Sequence, residues 1–270
     1  MEVVIAANAA EVARLAALRV ARACRSATTR RGIPPVLGFA TGSSPLGLYA
    51  ELTAMLEDGS LDLAGAAGFA LDEYIGLPKG HPESYAEVIR RTVTEPLGLD
   101  PAYVHVLDGN SDDPLGTCAR FEQAIIDAGG VDVQIVGIGA NGHIGFNEPG
   151  SSLASRTRPM TLAERTRKDN QRFFDSLDEV PTQCLTQGLG TIMDAREIVM
   201  VAKGTNKAEA VAKMLEGPVS SSCPASVLQL HPNVTIVIDD DAASRLSTAE
   251  HHRMAWTNKP EWMRWDRLNH

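Results

Sequence analysis

The chain has 270 residues, of which 44% are hydrophobic and 22% are charged, and this composition is ordinary for a globular protein with one substantial core. Its formal net charge of −9 argues against a nucleic-acid or anionic-membrane partner, because such partners require a basic surface. No run approaches the ~18 apolar residues of a membrane span, and the N-terminal residues lack the basic start and apolar core of a signal peptide. We therefore expect a cytoplasmic protein, and a small anionic substrate remains compatible with its charge.

The cysteine and histidine positions indicate neither a disulfide framework nor a metal site. The four cysteines are scattered without a C-x-x-C pair, and we expect them to be reduced thiols: Cys24, Cys118, Cys184 and Cys223. The seven histidines show no clustered ligand spacing. The sequence therefore predicts a site without a metal.

In chain order, short apolar runs alternate with amphipathic stretches. We expect strands over residues 3–6, 36–40, 68–72, 103–107, 131–136, 197–202 and 234–238. We expect helices over residues 9–28, 45–58, 81–95, 114–128, 181–193 and 207–215, the first capped by Asn8 and the second by Ser43 or Ser44. Alternation without a linker or an internal repeat predicts one α/β domain over residues 1–270. Its fold would be an open, mostly parallel sheet with helices on both faces, of modified Rossmann-like type.

Two segments depart from this alternation. Residues 151–183 are polar and rich in Ser, Thr and Arg, with little strand or core pattern, and such a segment beside an active loop is typical of a mobile lid. Residues 250–270 contain all three tryptophans. We expect this tail to dock on the body of the protein rather than to take part in catalysis.

The loop after the central strand concentrates acid–base groups. The apolar run at residues 131–136 ends in a glycine-rich turn, and Asn141, His143 and Glu148 follow it closely. Open α/β sheets bind ligands at the carboxyl ends of their strands, so this loop is the first candidate for a catalytic site. The alternative is a loop in which these side chains only satisfy local hydrogen bonds. The grouping of several polar side chains on one glycine-rich strand end argues against that alternative.

A dinucleotide-binding motif is another interpretation of the same loop, because Gly137, Gly139 and Gly142 match G-x-G-x-x-G. That motif needs a helix directly after it and an acidic residue about 20 positions further on. Pro149 stands where the helix would run, and the region around residue 162 is polar and unlike a strand. The sequence therefore disfavours a nucleotide cofactor.

Three further strand ends carry candidate residues. The turn at residues 41–44 leads into a helix whose N-terminal amides can hold an anion, although an ordinary capped helix fits as well. Asp72 and Glu73 stand at the tip of the third expected strand, and they fit either a catalytic carboxylate or a pair that braces the loop. Lys207 lies in the first turn of a helix, where a cation is unfavourable unless an anion shares the site. A solvated surface lysine is the alternative for Lys207.

Several sequence blocks occur in the order found in one family. Residues 137–152 read GIGANGHIGFNEPGSS, and with them come TGSSPLGLY (41–49), LDEYIGL (71–77), HPESY (81–85) and SLASRTR (152–158). These blocks resemble those of the glucosamine-6-phosphate deaminases, and the resemblance runs from the first strand to about residue 240. It implies isomerisation and deamination of glucosamine 6-phosphate to fructose 6-phosphate and ammonium in amino-sugar catabolism, without a cofactor.

The resemblance also implies which residues act. Asp72 would be the base that moves the C2 proton, and His143 would carry the proton for ring opening, with Glu148 and Asn141 beside it. The substrate-binding residues would be Thr41, Gly42, Ser43, Ser44, Arg172 and Lys207, with Glu73 left in a structural role. An effector site for N-acetylglucosamine 6-phosphate would comprise Ser152, Arg158, Met160 and Thr161.

Two positions depart from the family pattern. Many members carry Asp where this chain has Asn141, although others share Asn, so any charge relay here rests on Glu148 and His143. Members activated by N-acetylglucosamine 6-phosphate carry Lys where this chain has Met160, so we expect weak activation or none. The sequence does not fix the oligomeric state, and a homo-oligomer is compatible with it.

Two other functions share this architecture. A 6-phosphogluconolactonase-like hydrolase also uses a His in a glycine-rich loop against a phosphorylated sugar, but the LDEYIGL and NGHIGFNEPG blocks are those of the deaminases. The sugar-phosphate-sensing domain of a bacterial transcription regulator would need a DNA-binding segment, and no basic helix-turn-helix is evident.

Overall fold

The computed structural model describes residues 1–266. Its strands are β1 (Glu2–Ala6), β2 (Val36–Phe39), β3 (Ala67–Ala70), β4 (Asp72–Tyr74), β5 (Val104–His105), β6 (Val133–Val136), β7 (Arg158–Thr161), β8 (Gln183–Thr186), β9 (Glu197–Ala202) and β10 (Val234–Asp239). Its α-helices are α1 (Ala9–Arg31), α2 (Leu46–Glu57), α3 (Tyr85–Ile89), α4 (Pro114–Asp127), α5 (Glu164–Asn170), α6 (Leu189–Met193), α7 (Ala208–Glu216), α8 (Asp240–Ala243) and α9 (Ala249–Thr257).

Seven strands form a parallel sheet in the order β1-β10-β9-β6-β2-β3-β5. The chain winds outward from β2 through β3 to β5, then returns to the other side of β2 with β6, β9 and β10. The direction of winding therefore reverses between β2 and β6, the position at which open α/β sheets bind their ligands. The predicted α/β fold with a mostly parallel sheet is confirmed.

The sheet is buried on both faces because successive side chains of each strand point in opposite directions. On one face, Leu37, Ile135 and Val201 belong to an apolar layer with α1 and α2. On the other face, Met200 and Ile236 belong to a second layer with α4, α6 and α7. Strands that are apolar throughout are what this double burial requires.

The helix boundaries confirm one predicted cap and correct another. The side chain of Asn8 accepts a hydrogen bond from the backbone amide of Glu11 at 3.0 Å, as predicted, and α1 then continues to Arg31. The prediction that Ser43 or Ser44 caps α2 is wrong, because Pro45 is the N-cap residue and no side chain bonds the first amides. Those amides are left without a side-chain acceptor.

A second, antiparallel sheet of order β4-β8-β7 lies beside the first. The predicted helix over residues 181–193 is wrong in its first half, since residues 183–186 form β8 and the helix spans only Leu189–Met193. β8 is the central strand of this sheet, and Cys184, Leu185 and Thr186 are all buried. Continuous burial gives a short strand an apolar run that periodicity cannot distinguish from a buried helix.

Residues 151–183 therefore contain regular structure that the sequence did not predict, namely β7, α5 and the start of β8. The mobility of residues 151–183 stays a prediction.

Two other elements are shorter than predicted. The strand expected over 103–107 spans only Val104–His105, and the helix expected over 81–95 is α3 followed by a π-helical turn, Arg90–Thr94.

The C-terminal segment contacts the edge strand β1. The indole nitrogen of Trp265 donates to Glu2 Oε2 at 2.7 Å, Lys259 pairs with the same carboxylate, and the rings of Trp256 and Trp265 lie 5.0 Å apart. Trp262 is exposed. The last part of the predicted tail, residues 267–270, lies outside the described residues. Within residues 1–266, no helix combines the length and the apolarity that crossing a membrane requires.

Candidate active site

The ends of four neighbouring strands, β9, β6, β2 and β3, converge on one cleft. The cleft has about 930 Å³ of space, including its open mouth. Eight predicted site residues line it: Thr41, Gly42, Ser43, Ser44, Asp72, His143, Arg172 and Lys207. Segments more than 100 residues apart in the chain thus meet because parallel strands end at one edge of the sheet.

Asp72 is the first residue of β4 and is only 5% exposed. The hydroxyl of Thr41 donates to its Oδ1 at 3.4 Å. Burial, together with the neighbouring charge of Glu73, raises the pKa of Asp72 from 3.8 to about 8, and the bond from Thr41 opposes this shift only partly. A carboxyl group whose pKa is close to neutrality can both accept and return a proton.

Glu73 bonds to backbone amides, which fits the structural role that the family resemblance implies for it. Its carboxylate accepts hydrogen bonds from the backbone amides of Tyr74, Tyr85 and Ala86 at 2.7–2.9 Å. These bonds tie β4 to the start of α3, whose first residue lines the cleft. Glu73 itself does not line the cleft.

His143 lines the cleft, while Glu148 and Asn141 stand behind it. Nδ1 of His143 lies 3.7 Å from Oε2 of Glu148, and the same oxygen accepts a hydrogen bond from the Asn141 amide at 2.7 Å. Burial raises the pKa of Glu148, but interactions with His143, Thr166 and Asn141 outweigh it and bring the pKa down to about 2. Glu148 is therefore an anion that can orient His143 and stabilise its protonated form.

Glycine in the loop after β6 permits this arrangement. A Cβ atom at Gly139 would lie 2.2–2.4 Å from ring atoms of His143, so only glycine lets the imidazole lie against the backbone there. Gly142 has a φ of +87°, in the region that favours glycine, and faces Cys223. Among the glycines that resemble a dinucleotide motif, Gly139 thus makes room for a histidine and Gly142 makes a turn that favours glycine.

The predicted anion-binding turn lies at the same edge of the cleft. Ser43 and Ser44 line the cleft immediately before α2, whose first amides lack a side-chain acceptor. Free amides and the positive end of a helix dipole together favour an anion. The absence of the expected serine cap leaves this helix start available to a ligand.

Two cations face the cleft from other elements. Arg172 lies in a 3₁₀ turn, Gln171–Phe173, with its guanidinium 4.7 Å above the Phe173 ring, and Lys207 ends the turn Thr205–Lys207 before α7. Within residues 1–266 neither side chain forms an ion pair. Burial lowers the pKa of Lys207, as do the charges of Arg172 and Arg165, against the opposing charge of Asp169. Lys207 is half-buried and Arg172 is exposed, and cations that line a cleft without an ion-pair partner among the described residues fit an anionic ligand.

Sequence reasoning missed several residues that line the cleft: Tyr85, Phe146, Asn170, Lys203 and Asn206. Lys203 had a usable signal, because it directly follows β9 at the edge where the other candidates lie. Asn170 had none, since its position depends on how α5 folds back over the cleft.

The predicted effector residues lie outside the cleft. Arg158 donates to Asn147 Oδ1 at 2.8 Å and to Ser151 Oγ at 3.1 Å. Ser152 Oγ instead accepts from the backbone amide of Ala154 at 3.3 Å. Met160 packs against the apolar cluster between the small sheet and the active loop, and Thr161 ends β7. The structure brings Arg158 to Ser151 rather than to Ser152.

Comparison with known proteins identifies similar chains over almost the full length. The chain is 57% identical to the glucosamine-6-phosphate deaminase of Cutibacterium acnes over 258 residues, which cover 96% of each chain. It is 53% identical to that of Pseudarthrobacter chlorophenolicus over 262 residues, covering 97% of this chain and 99% of the other.

Solved structures show the same fold. A structure described as a monomeric glucosamine-6-phosphate deaminase superposes with a TM-score of 0.86 at 40% identity, covering 91% of this chain and all of that one. A 6-phosphogluconolactonase from Trypanosoma cruzi has a TM-score of 0.70 at 17% identity over 91% of this chain and 97% of that one, which shows a shared fold alone. Residues 7–237 match the family model described as glucosamine-6-phosphate isomerases/6-phosphogluconolactonase, and the chain belongs to that family.

Proposed function

We propose that this protein converts glucosamine 6-phosphate and water to fructose 6-phosphate and ammonium, in amino-sugar catabolism. The observation that carries the proposal is the meeting, in one cleft, of a buried carboxyl group with a pKa of about 8, a histidine backed by a carboxylate, and the two cations Arg172 and Lys207. Together these groups supply a proton shuttle, a ring-opening acid–base and a phosphate site. The similar chains named as glucosamine-6-phosphate deaminases support the same reaction.

The first step is the opening of the sugar ring, which moves a proton between O1 and O5. His143 is suited to carry this proton, because an imidazole can exist in both protonation states near neutrality. The anionic Glu148 behind the ring stabilises the imidazolium form, and Asn141 fixes the Glu148 carboxylate by donating to it.

The second step is the isomerisation. Asp72 in its ionised form takes the proton from C2, a double bond forms between C1 and C2, and the C1=O double bond becomes a C1–OH bond as O1 takes a proton from solvent. The proton on Asp72 then returns at C1 while the nitrogen lone pair forms the C=N bond of an imine at C2. Water then adds at C2 and ammonium leaves. Because the pKa of Asp72 is about 8, its ionised form is a minority species at neutral pH but is a stronger base towards the C2 proton than an ordinary carboxylate.

The phosphate would be held at the far end of the sugar by Arg172, Lys207 and the turn at residues 41–44. Charge-assisted bonds from a guanidinium and an ammonium to a phosphate are stronger than neutral hydrogen bonds. The amides at the start of α2 add fixed donors that need no side-chain ordering.

The test is to incubate the purified protein with glucosamine 6-phosphate without added cofactor and to measure ammonium and fructose 6-phosphate. We expect both products in equal amounts. A protein that releases no ammonium, but hydrolyses 6-phosphogluconolactone, would contradict the proposal and favour the lactonase activity found within the same family.

We further propose that residues 151–183 act as a lid. Asn170 and Arg172 line the cleft from this segment, so movement of the segment would change the access of a substrate to the cleft. The predicted cytoplasmic location stays a proposal, and the oligomeric state, which the sequence leaves open, is still to be measured. Cell fractionation with an antibody against the chain tests the first, and sedimentation velocity tests the second.

A further inference from the structure

The hydroxyl of Tyr74 lies between the small sheet and the segment that carries Arg172. Tyr74 is the last residue of β4 and only 2% exposed, and its hydroxyl accepts hydrogen bonds from Asn170 Nδ2 at 2.8 Å and from the Tyr85 hydroxyl at 3.3 Å. A buried hydroxyl is costly unless it is bonded. For packing alone, a phenylalanine would fill the same space without that cost.

The ring of Tyr74 contacts the other end of the same segment. Phe174 packs edge-on against the Tyr74 ring with centroids 5.9 Å apart, and it also stacks on His81 at 6.0 Å. Tyr74 therefore holds residues 170–174 at both ends, by its hydroxyl at Asn170 and by its ring at Phe174. Arg172 lies in the middle of this span and faces the cleft.

Arg172 needs such an anchor because little else fixes it. Within residues 1–266 its guanidinium forms no ion pair, and its recorded contact is with the neighbouring Phe173 ring, which is itself 41% exposed. A long, flexible side chain on a loosely held turn would lose much of its binding free energy to ordering. Contacts that hold the turn Gln171–Phe173 in place would reduce this ordering cost.

We propose that Tyr74 is a positioning residue for the substrate phosphate. It acts through Asn170 and Phe174 to keep Arg172 aimed into the cleft. Tyr74 does not line the cleft, so it is not a catalytic residue. The assignment of Arg172 to the phosphate rests on the proposed function, and the experiments below separate the two.

The first experiment is Tyr74→Phe, which removes the hydroxyl and keeps the ring contacts. Loss of a net hydrogen bond predicts a rise in KM for glucosamine 6-phosphate of about two- to tenfold, with kcat within twofold of the parent. In an Arg172→Ala background, the same change should alter KM by less than about twofold, which is the usual deviation from additivity for sites that do not interact. A KM rise of equal size in both backgrounds would overturn the proposal and assign the effect to Tyr85, which loses the same partner.

A matched control is Tyr103→Phe. Tyr103 is 53% exposed and its hydroxyl has no hydrogen bond within the described residues, so the same chemical change should leave KM and kcat unaltered.

The second experiment does not depend on turnover. Inorganic phosphate is titrated calorimetrically into the wild type, Tyr74→Phe, Arg172→Ala and the double variant, and amide exchange of Phe174, which donates to Gln171 O at 2.9 Å, is measured alongside. Relative to the wild type, we expect Tyr74→Phe to bind phosphate about two- to tenfold more weakly and to exchange the Phe174 amide about two- to tenfold faster. The double variant should bind phosphate no more weakly than Arg172→Ala. If the wild type makes no ammonium but this pattern holds, the proposed reaction fails and the positioning role stands. Unchanged exchange and unchanged phosphate binding would overturn it.

Discussion

At the scale of the residue, Asp72 combines burial with a neighbouring carboxylate, Glu73, whose own bonds are all to backbone amides. Asp72→Asn keeps the shape of the side chain and removes only its capacity to take a proton. We expect kcat for deamination to fall by at least about 10²-fold, the lower end of the range for general acid–base groups, while phosphosugar binding changes by no more than a few fold. Exchange of the C2 proton with solvent, followed by NMR, should disappear as well. A variant with near wild-type kcat would show that another group is the base.

The raised pKa of Asp72 also makes a prediction about stability. Between the ordinary pKa of 3.8 and the folded-state value of about 8, the folded protein keeps a proton that the unfolded chain releases. Stability therefore falls as pH rises through this window. Because Asn cannot ionise, the Tm of Asp72→Asn relative to wild type should increase from pH 5 to pH 8.5. Thermal unfolding at the two pH values measures this difference, and a difference that is constant with pH would show that Asp72 ionises normally.

Lys207, just before α7, can be compared with Lys213, which lies on α7 itself. Lys207→Ala should raise KM for glucosamine 6-phosphate by about 10- to 150-fold, since one charge-assisted contact contributes roughly 1.5–3 kcal/mol, and Arg172→Ala should act likewise. Lys213→Ala, on the exposed side of α7, removes only a surface pair with Glu209 and should leave KM unchanged. The measurement is steady-state kinetics with glucosamine 6-phosphate and with unphosphorylated glucosamine. Where unphosphorylated glucosamine is turned over, its KM should not change in the Lys207 and Arg172 variants. Equal losses for both sugars would show that Lys207 and Arg172 do not bind the phosphate.

At the scale of the element, the small antiparallel sheet links Asp72, the proposed base, to the segment over the cleft. Asp72 opens β4, which pairs with β8, and β8 in turn pairs with β7 at the start of the proposed lid. The sequence did not predict this sheet. Its strands are three or four residues long and lack alternation, and β4 pairs with β8, which lies more than 100 residues further along the chain. Local patterns carry no information on such pairing.

The part of this segment next to β7 is anchored by Glu122 on α4. The Glu122 carboxylate accepts bonds from the Thr157 amide at 2.8 Å and from Arg156 Nε at 3.1 Å, and it also bonds the Thr191 hydroxyl. Burial raises the pKa of Glu122, but the bonds from Thr157, Thr191 and Arg156 outweigh it, and the pKa is lowered. Any movement of the proposed lid should therefore be confined to residues beyond this anchor.

We expect Glu122→Ala to lower the free energy of unfolding by about 2–4 kcal/mol, because several donors lose an ionised acceptor at once. Urea unfolding at pH 7 measures the loss. The contribution of a carboxylate with a lowered pKa disappears as pH falls through that pKa, so the difference between variant and wild type should shrink at low pH. Glu164→Ala, which removes an exposed pair with Lys168, is the control and should cost under about 0.5 kcal/mol. A loss that small for Glu122→Ala would show that the segment is held elsewhere.

At the scale of the whole molecule, the convergence of the site could be predicted because it follows from topology. Residues after β2, β3, β6 and β9 must meet, since parallel strands end at one edge, and the sequence places Ser43, Asp72, His143 and Lys207 after those strands. The contacts behind the site could not be predicted in this way. Side chains such as Asn170 reach their partners through the path of a folded-back segment, and that path depends on tertiary packing.

The last prediction concerns regulation of the whole molecule by N-acetylglucosamine 6-phosphate. Among the residues predicted to bind an effector, Arg158 already donates to Asn147 and Ser151, which leaves fewer of its hydrogens for a phosphate. Met160 packs into an apolar cluster and supplies no donor. An effector shifts a two-state equilibrium only by its differential affinity for the two states. The missing cationic contact, about 1.5–3 kcal/mol, would remove most of a typical allosteric coupling of about 1–3 kcal/mol.

We therefore expect near-hyperbolic kinetics for glucosamine 6-phosphate, with little or no change on adding millimolar N-acetylglucosamine 6-phosphate. The measurement is a substrate titration with and without the effector, accompanied by sedimentation velocity at the assay concentration. The matched variant is Met160→Lys, which places a cation at position 160. If the protein forms an oligomer and position 160 limits activation, this variant should respond to the effector while the wild type does not. A wild-type curve that is sigmoidal alone and hyperbolic with the effector would contradict the prediction, because it would show that the remaining contacts at Arg158 and Thr161 already distinguish the two states.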